Sequence, residues 1–251
     1  MQYAYLSDSV KTKKISDDGE KGTFHVEGLF PGYGLTVGNS LRRALLSSLP
    51  GAAVTQFKVK GVLHEFSTIP GVLEDVVEIS INLKKLRFEF NAEESQVLTI
   101  KVKGEKEVTG ADIESNAQVK VVNPEVKLFT ITDKKTEVEM EITVEKGLGY
   151  VSVERRKAGK LEIGVVALDA IFTPVINVAI NVDNMRVGER TDYNRLILDI
   201  QTDGSVTPSE ALHKASNILV DHFTKIGDLS ENAADTEEKS TEKEEGVENE
   251  E

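Results

Sequence analysis

From about residue 97 to residue 153 the chain keeps a period of two. Val138, Met140, Ile142 and Val144 alternate with polar residues, and so do Leu98, Ile100 and Val102. That is the signature of strands with one buried face. A helical period replaces it on either side. Residues 35–49 read as a helix ended by Pro50-Gly51. Thr68 precedes Pro70-Gly71 and a second helix with Val72, Val76, Ile79 and Leu83 on one face. Thr207, Pro208 and Glu210 stand as N-cap, N1 and N3 of a third, which runs to about Ile226 with Gly227 as C′ residue. FHVEGL (24–29) reads as a strand, and residues 53–62 as another, where a change of phase between Val54 and Phe57 implies a bulge. In 175–182, Ile176, Val178, Ile180 and Val182 share a face, and Asp203-Gly204 reads as a hairpin turn. The expectation is an α+β fold with three main helices and strands of mixed connectivity. The β-rich stretch from roughly 51 to 174 is inserted between an N-terminal strand-helix and a C-terminal hairpin-helix.

The chain of 251 residues carries a net charge of −13, unevenly spread. Residues 230–251 hold ten acids and two lysines, leaving −5 on the remainder. The tail has too few apolar residues to offset its ordering entropy and reads as a disordered acidic tail. A body of that charge gives no footprint for broad nucleic-acid contact. Cysteine is absent, so disulfides, thiol catalysis and cysteine–zinc sites are excluded. No apolar run spans a membrane, and MQYAYLSDSVKTKK lacks a signal-peptide core. These features favour the cytoplasm.

No catalytic constellation assembles, and no cofactor or metal is expected. G-x-G-x-x-G would need glycine at 37, where Val37 stands, and a P-loop would need lysine after Gly38, where Asn39 stands. Gly32 and Gly34 therefore read better as a tight helix entry than as a phosphate cradle. His25, His64, His213 and His222 make no i, i+4 pair. His64-Glu65 reads as a structural hydrogen-bond pair, and Glu74-Asp75 as first-turn charge on the second helix.

The first helix, GYGLTVGNSLRRALLSSLPG (32–51), is more informative. On a wheel, Val37, Ala44, Leu45, Ser48 and Leu49 fall within about 80° of Leu41 and form a core stripe. Arg42, Arg43 and Leu46 fall on another face. An apolar residue flanked by arginines suits a protein contact; two surface arginines beside a half-exposed leucine remain the alternative. The third helix has an apolar arc of about 140°, from Ala211 to Ile226. Two such helices suggest a homodimer, with a larger monomeric core as the alternative.

The stretches GYGLTVGNSLRRALLSSLPGAAVTQFKVKGVLHEFSTIPGVLEDVVEISINLK and RVGERTDYNRLILDIQTDGSVTPSEAL resemble the N-terminal domain of the bacterial RNA polymerase alpha subunit. The resemblance covers about residues 20–229. It implies a discontinuous dimerisation subdomain, residues 1–50 with 176–229, and an inserted β-rich subdomain, 51–175. It implies a non-catalytic homodimeric scaffold that nucleates polymerase assembly, one protomer meeting the beta and the other the beta-prime subunit. By the same resemblance Arg43 and Leu46, with Arg42 beside them, face a large subunit. His64, Glu65, Lys84, Arg190 and Asp192 are further contact candidates. Leu41, Leu45 and Leu49, with Leu212, Ala215, Leu219, Phe223 and Ile226, are candidates for the dimer interface. The location implied is a bacterial cytoplasm or a plastid. The family usually continues into a helical domain that binds promoter DNA. The acidic tail stands here instead, so no specific DNA binding is expected of this chain. A nucleotide-binding enzyme and a free-standing dimeric adaptor on the same fold are the competing readings.

Overall fold

The computed structural model describes residues 8–114, 116–156 and 162–228. In chain order the elements are β1 (Lys11–Asp17), β2 (Lys21–Leu29), α1 (Tyr33–Ser47), β3 (Pro50–Val59), α2 (Val76–Leu83), β4 (Phe88–Phe90), β5 (Gln96–Lys103) and β6 (Lys106–Thr109). After a 3-10 turn at Gly110–Asp112 come β7 (Ile113–Glu114), β8 (Val119–Val121), β9 (Lys127–Ile131), β10 (Glu137–Leu148) and β11 (Tyr150–Val151). Then follow β12 (Val165–Ala167), β13 (Ala170–Ile171), β14 (Val175–Val187), β15 (Arg190–Thr202) and α3 (Pro208–Gly227). The fold is α+β.

Buried apolar side chains form two main clusters. One draws on the first fifty residues and on residues after 174, and includes Phe24, Leu41, Leu45, Leu49, Leu196, Leu198 and Ala215. The other lies within residues 54–168, around Phe57, Ile79, Phe129 and Met140. We call the two bodies the base and the insert.

The base is a four-stranded sheet in the order β1-β2-β15-β14, with α1 and α3 packed against it and against each other. One face of β2 and β15 is apolar because Phe24, Val26, Leu196, Leu198 and Ile200 alternate with polar residues. The other face is solvated and carries cross-strand pairs. Thr23 Oγ1 donates to Asp199 Oδ1 at 2.7 Å, and Glu27 pairs with Lys13 at 2.7 Å and with Arg195 at 3.3 Å. In the insert, β12-β3-β10-β5-β7 form a five-stranded sheet. Glu139 of β10 pairs with Lys60, just past the end of β3, at 3.1 Å and with Lys101 of β5 at 3.0 Å.

The bulge read from the phase change is present. Gln56 pairs with Thr143 and Val54 with Val144, which leaves Thr55 as the extra residue. Its carbonyl accepts from Leu168 N at 2.8 Å and Arg156 at 2.7 Å.

Strand connectivity is mixed, as expected, since hairpin neighbours sit beside crossovers, and every pairing among the described residues is antiparallel. Several other expectations are corrected. The second helix begins at Val76, not near Val72, because Asp75 is its N-cap and accepts from Glu78 N at 2.7 Å. Val72 instead bridges to Ile131. Glu74 lies outside the helix and bonds β9 through Thr130 N at 2.6 Å. Asp203-Gly204 turns the chain into α3, not into a hairpin: Asp203 Oδ1 accepts from Ser205 N at 3.0 Å, and Thr207 caps the helix by accepting from Glu210 N. Gly227 is the last residue of α3, and Asp228 is the C-cap. Ile176 leaves the buried face of β14 because a register shift between Val175 and Asn177 turns it outward. The exposed edge strand β1 has no apolar alternation and went unread. The acidic tail from Ser230 onward lies outside the described residues.

Candidate protein-contact surface

The first helix owes its seat to two glycines and one asparagine. Gly32, at φ 88°, takes the left-handed conformation that lets the chain turn into the helix. It has no side chain to cap the exposed N–H groups. Asn194 of β15 supplies the cap: its Oδ1 accepts from Gly32 N at 2.9 Å and Gly34 N at 3.3 Å, while its Nδ2 donates to Asn184 Oδ1 at 3.3 Å. Gly34 and Gly38, one turn apart, lie against Val182, Asn194 and Leu196, so the helix axis approaches the sheet closely. Leu41, Ala44, Leu45 and Leu49 then enter the base core.

With that face buried, the opposite one is fixed. Arg42 and Arg43 are exposed, and Leu46 is half-buried against the same core. Among the described residues neither guanidinium has a hydrogen-bond or ion-pair partner within the protomer. The wheel placed all three residues off the core; the structure leaves the two arginines exposed but packs one side of Leu46 against the core.

His64, Glu65 and Lys84 come together in an open cleft of 1030 Å³ on the insert. His64 and Glu65 sit in a turn after β3, where His64 Nδ1 and Ser67 Oγ are 3.1 Å apart. The partner of His64 is therefore Ser67, not Glu65 as the sequence suggested. Lys84, at the end of α2, pairs with Asp169 at 3.5 Å. The Val153 N–H on Asp169, with Lys84 beside it, holds that carboxyl below its usual range against the effect of burial. Leu63, Phe66 and Ile163 line the same cleft; Phe66 is 78% and Ile163 84% exposed. An apolar surface of that kind beside charged groups is typical of a contact site. The turn at Gly149 runs past the end of α1, and the next residue, Tyr150, lines the cleft. The helix face and the cleft are thus neighbours.

Arg190 and Asp192 lie apart from the cleft, at the start of β15. Arg190 forks onto Asp192 with contacts of 3.0 and 2.7 Å. Its guanidinium stands 5.4 Å from the ring centroids of both Phe30 and Tyr193. Each charge holds the other ionised, so the Asp192 carboxyl is below and the Arg190 guanidinium above its usual value. The pair offers an exposed charged surface beside the entry to α1.

The dimer candidates divide. Leu41, Leu45, Leu49 and Ala215 are buried in the protomer's own core, so they present no surface to a second copy. Leu212 and Leu219 are partly buried there too. Phe223 and Ile226 are 63% and 60% exposed, and Val220 joins them. On α1, Leu35 is exposed beside a groove with Ile180 and Val182. Sequence reasoning missed Asn194, Val220 and Leu35. Asn194 could have been found: it is a polar residue at the head of the buried row that continues as Leu196, Leu198 and Ile200.

Among the described residues no group of three or more His, Asp or Glu side chains is placed to hold a metal, and no helix is long and apolar enough to cross a membrane.

A family model described as the RNA polymerase Rpb3/RpoA insert domain matches residues 56–173. The DNA-directed RNA polymerase subunit alpha of Alkaliphilus metalliredigens is 48% identical over 228 residues, covering 91% of this chain and 72% of that protein. The chain belongs to the RNA polymerase alpha subunit family. The alpha subunits of Carboxydothermus hydrogenoformans, 46% identical over 228 residues, and Limosilactobacillus reuteri, 46% over 222, cover 72% and 70% of their own lengths. The similarity to both of the first two covers 91% of this chain, and transcription is the family's process.

Proposed function

We propose that the chain acts as the assembly scaffold of a DNA-directed RNA polymerase. Two copies pair, and each presents a docking face to a large subunit, one to beta and one to beta-prime. The observation that carries this reading is the α1 face: two exposed arginines without partners in the protomer, placed around a half-buried leucine on a helix locked to its sheet. Arginine at such a position supplies both guanidinium and apolar stem to a partner. The cleft holding His64, Glu65 and Lys84 extends that face onto the insert, and Arg190–Asp192 extends it around the start of α1.

We assign residues 1–50 with 176–229 to dimerisation and 51–175 to the insert. The dimer seam is built from Phe223, Ile226 and Val220, with Leu212 and Leu219 at its inner margin. Leu35 supports it from α1. The work is done in the cytoplasm, within the polymerase.

A native-mass experiment on tagged chain purified gently from its own host tests the proposal. Two copies bound with two very large subunits support it. A bare homodimer favours a free-standing adaptor on the same fold and overturns the scaffold reading.

A further inference from the structure

The chain crosses between base and insert twice, and the crossings lie side by side. It enters the insert at Pro50-Gly51 and leaves it at Phe172–Val175. A β-carbon on Gly51 would lie 1.8 Å from the Phe172 carbonyl oxygen, so the two strands of the crossing touch. Two adjacent attachments leave one rotation free, a swing about the line that joins them. A cleft of 310 Å³ separates the bodies there, lined by Phe88, Phe90, Lys146, Glu210 and Lys214 among others.

One side-chain pair ties the bodies at the edge of that cleft. Arg87 Nε lies 3.3 Å from Asp203 Oδ2. Among the described residues it is the only side-chain ion pair or hydrogen bond that joins base and insert. Both ends are built in. The Arg87 guanidinium also donates to the Lys84 and Leu86 carbonyls at 2.9 Å each, at the end of α2. Its backbone N–H is held by Asn123 Oδ1 at 2.8 Å. The Asp203 side chain is 7% exposed and fixes the turn into α3 by accepting from Ser205 N. Next to it, Gly204 lies against Val122 of the insert. A charge this buried and bonded at both ends holds one geometry, because breaking it leaves a desolvated carboxylate without its counter-ion.

We infer that Arg87–Asp203 is the latch that fixes the angle of the insert on the base. It thereby sets the spacing between the Arg43–Leu46 face on α1 and the His64–Glu65–Lys84 cleft. Arg87 and Asp203 are positioning residues: they touch no partner themselves. The inference rests on the reading of those two surfaces as parts of one docking face.

The absence of cysteine allows direct labelling. Spin labels go at D18C on the base and E93C on the insert, in labelled chain diluted with unlabelled chain so that each pair of spins belongs to one protomer. The unsubstituted chain is expected to give one narrow distance distribution. R87A and D203N are expected to broaden it, while dimer mass stays unchanged. D203N keeps the acceptor for Ser205, so it carries the test if R87A fails to fold. Capture of the large subunits by both variants should fall about tenfold if the competent angle is held only a tenth of the time. Distributions identical to the unsubstituted chain overturn the latch. Broadening with undiminished capture overturns the positioning role and leaves the docking surfaces standing. If even the unsubstituted chain captures no large subunit, the scaffold reading fails, and the distance measurement alone decides whether the pair fixes the angle.

Discussion

Gly34 and Gly38 face the same sheet from the same helix, yet the same substitution should act differently at each. Alanine in place of glycine inside a helix stabilises by about 0.5–1 kcal/mol through lost unfolded-state freedom. Against that stands what the new methyl group meets. At Gly38 its nearest neighbour is Leu196 Cδ1 at 2.8 Å, the far end of a flexible side chain, and the next atoms are at 3.6 Å. A small rotamer adjustment absorbs this, so Gly38→Ala should lie within about 0.5 kcal/mol of neutral. At Gly34 the methyl group would lie 2.7 Å from Val182 Cγ1 and 2.9 Å from Asn194 Cβ. Valine is stiff at χ1, and a Cβ moves only with its backbone. The helix must lift, which costs about 1–3 kcal/mol of overpacking and strains the Asn194 cap as well. Gly34→Ala should therefore be less stable than Gly38→Ala by about 1–3 kcal/mol. Urea unfolding of the two variants side by side measures the difference. If Gly34→Ala proves as stable as Gly38→Ala, close packing of α1 on β14 and β15 is not what seats the helix.

Arg43→Ala should leave folding and dimer mass intact while weakening capture of a large subunit by about 2–5 kcal/mol; a loss of thermal stability would instead make Arg43 a structural residue. Phe223→Asp puts a charge into an apolar seam, so light scattering should report monomer; a persisting dimer would remove Phe223 from the interface. Glu74 is buried, which raises its carboxyl pKa, but Thr130 and Lys127 outweigh that and the net shift is downward. Its contribution is full above the ordinary value of 4.5 and is lost as pH falls through the lower folded value. Glu74→Gln should cost about 1–3 kcal/mol at pH 7 and show a flatter decline into acid than the unsubstituted chain; parallel declines would mean that another group governs the acid limb.

Period and punctuation carried much of the fold into the sequence. The strands β5 and β10 were legible because alternation is strict there, and the Thr55 bulge because one extra residue reverses the phase. The arginine face was legible for the complementary reason: a wheel separates a buried stripe from its opposite side whatever the tertiary context. The misreadings share a cause. Asp203-Gly204 makes the same local turn in front of a helix as in a hairpin, and only the next element distinguishes them. Ile176 obeys its row until a register shift that sequence does not mark. Leu41, Leu45 and Leu49 look alike whether a sheet or a second copy covers them. The cleft was illegible because Lys84 and Ile163 meet the His64 turn through tertiary structure alone. Asn194 left a trace, a polar residue in an apolar row.

The base sheet pairs β2 with β15, and Thr23 bonds Asp199 across 176 positions of sequence. The insert core comes from one continuous stretch between them. On the ribosome the insert can therefore collapse while the base waits, since its closure requires the whole loop to have been made. Until β15 emerges, α1 has neither its Asn194 cap nor the Leu196 surface it lies on, and its arginines hang on a helix without a seat. α3, which carries Phe223 and Ile226, is made later still. A chain cut short before β15 therefore has a folded insert but no seat for α1, whereas one cut short before α3 has the seat and lacks only the exposed Phe223 and Ile226.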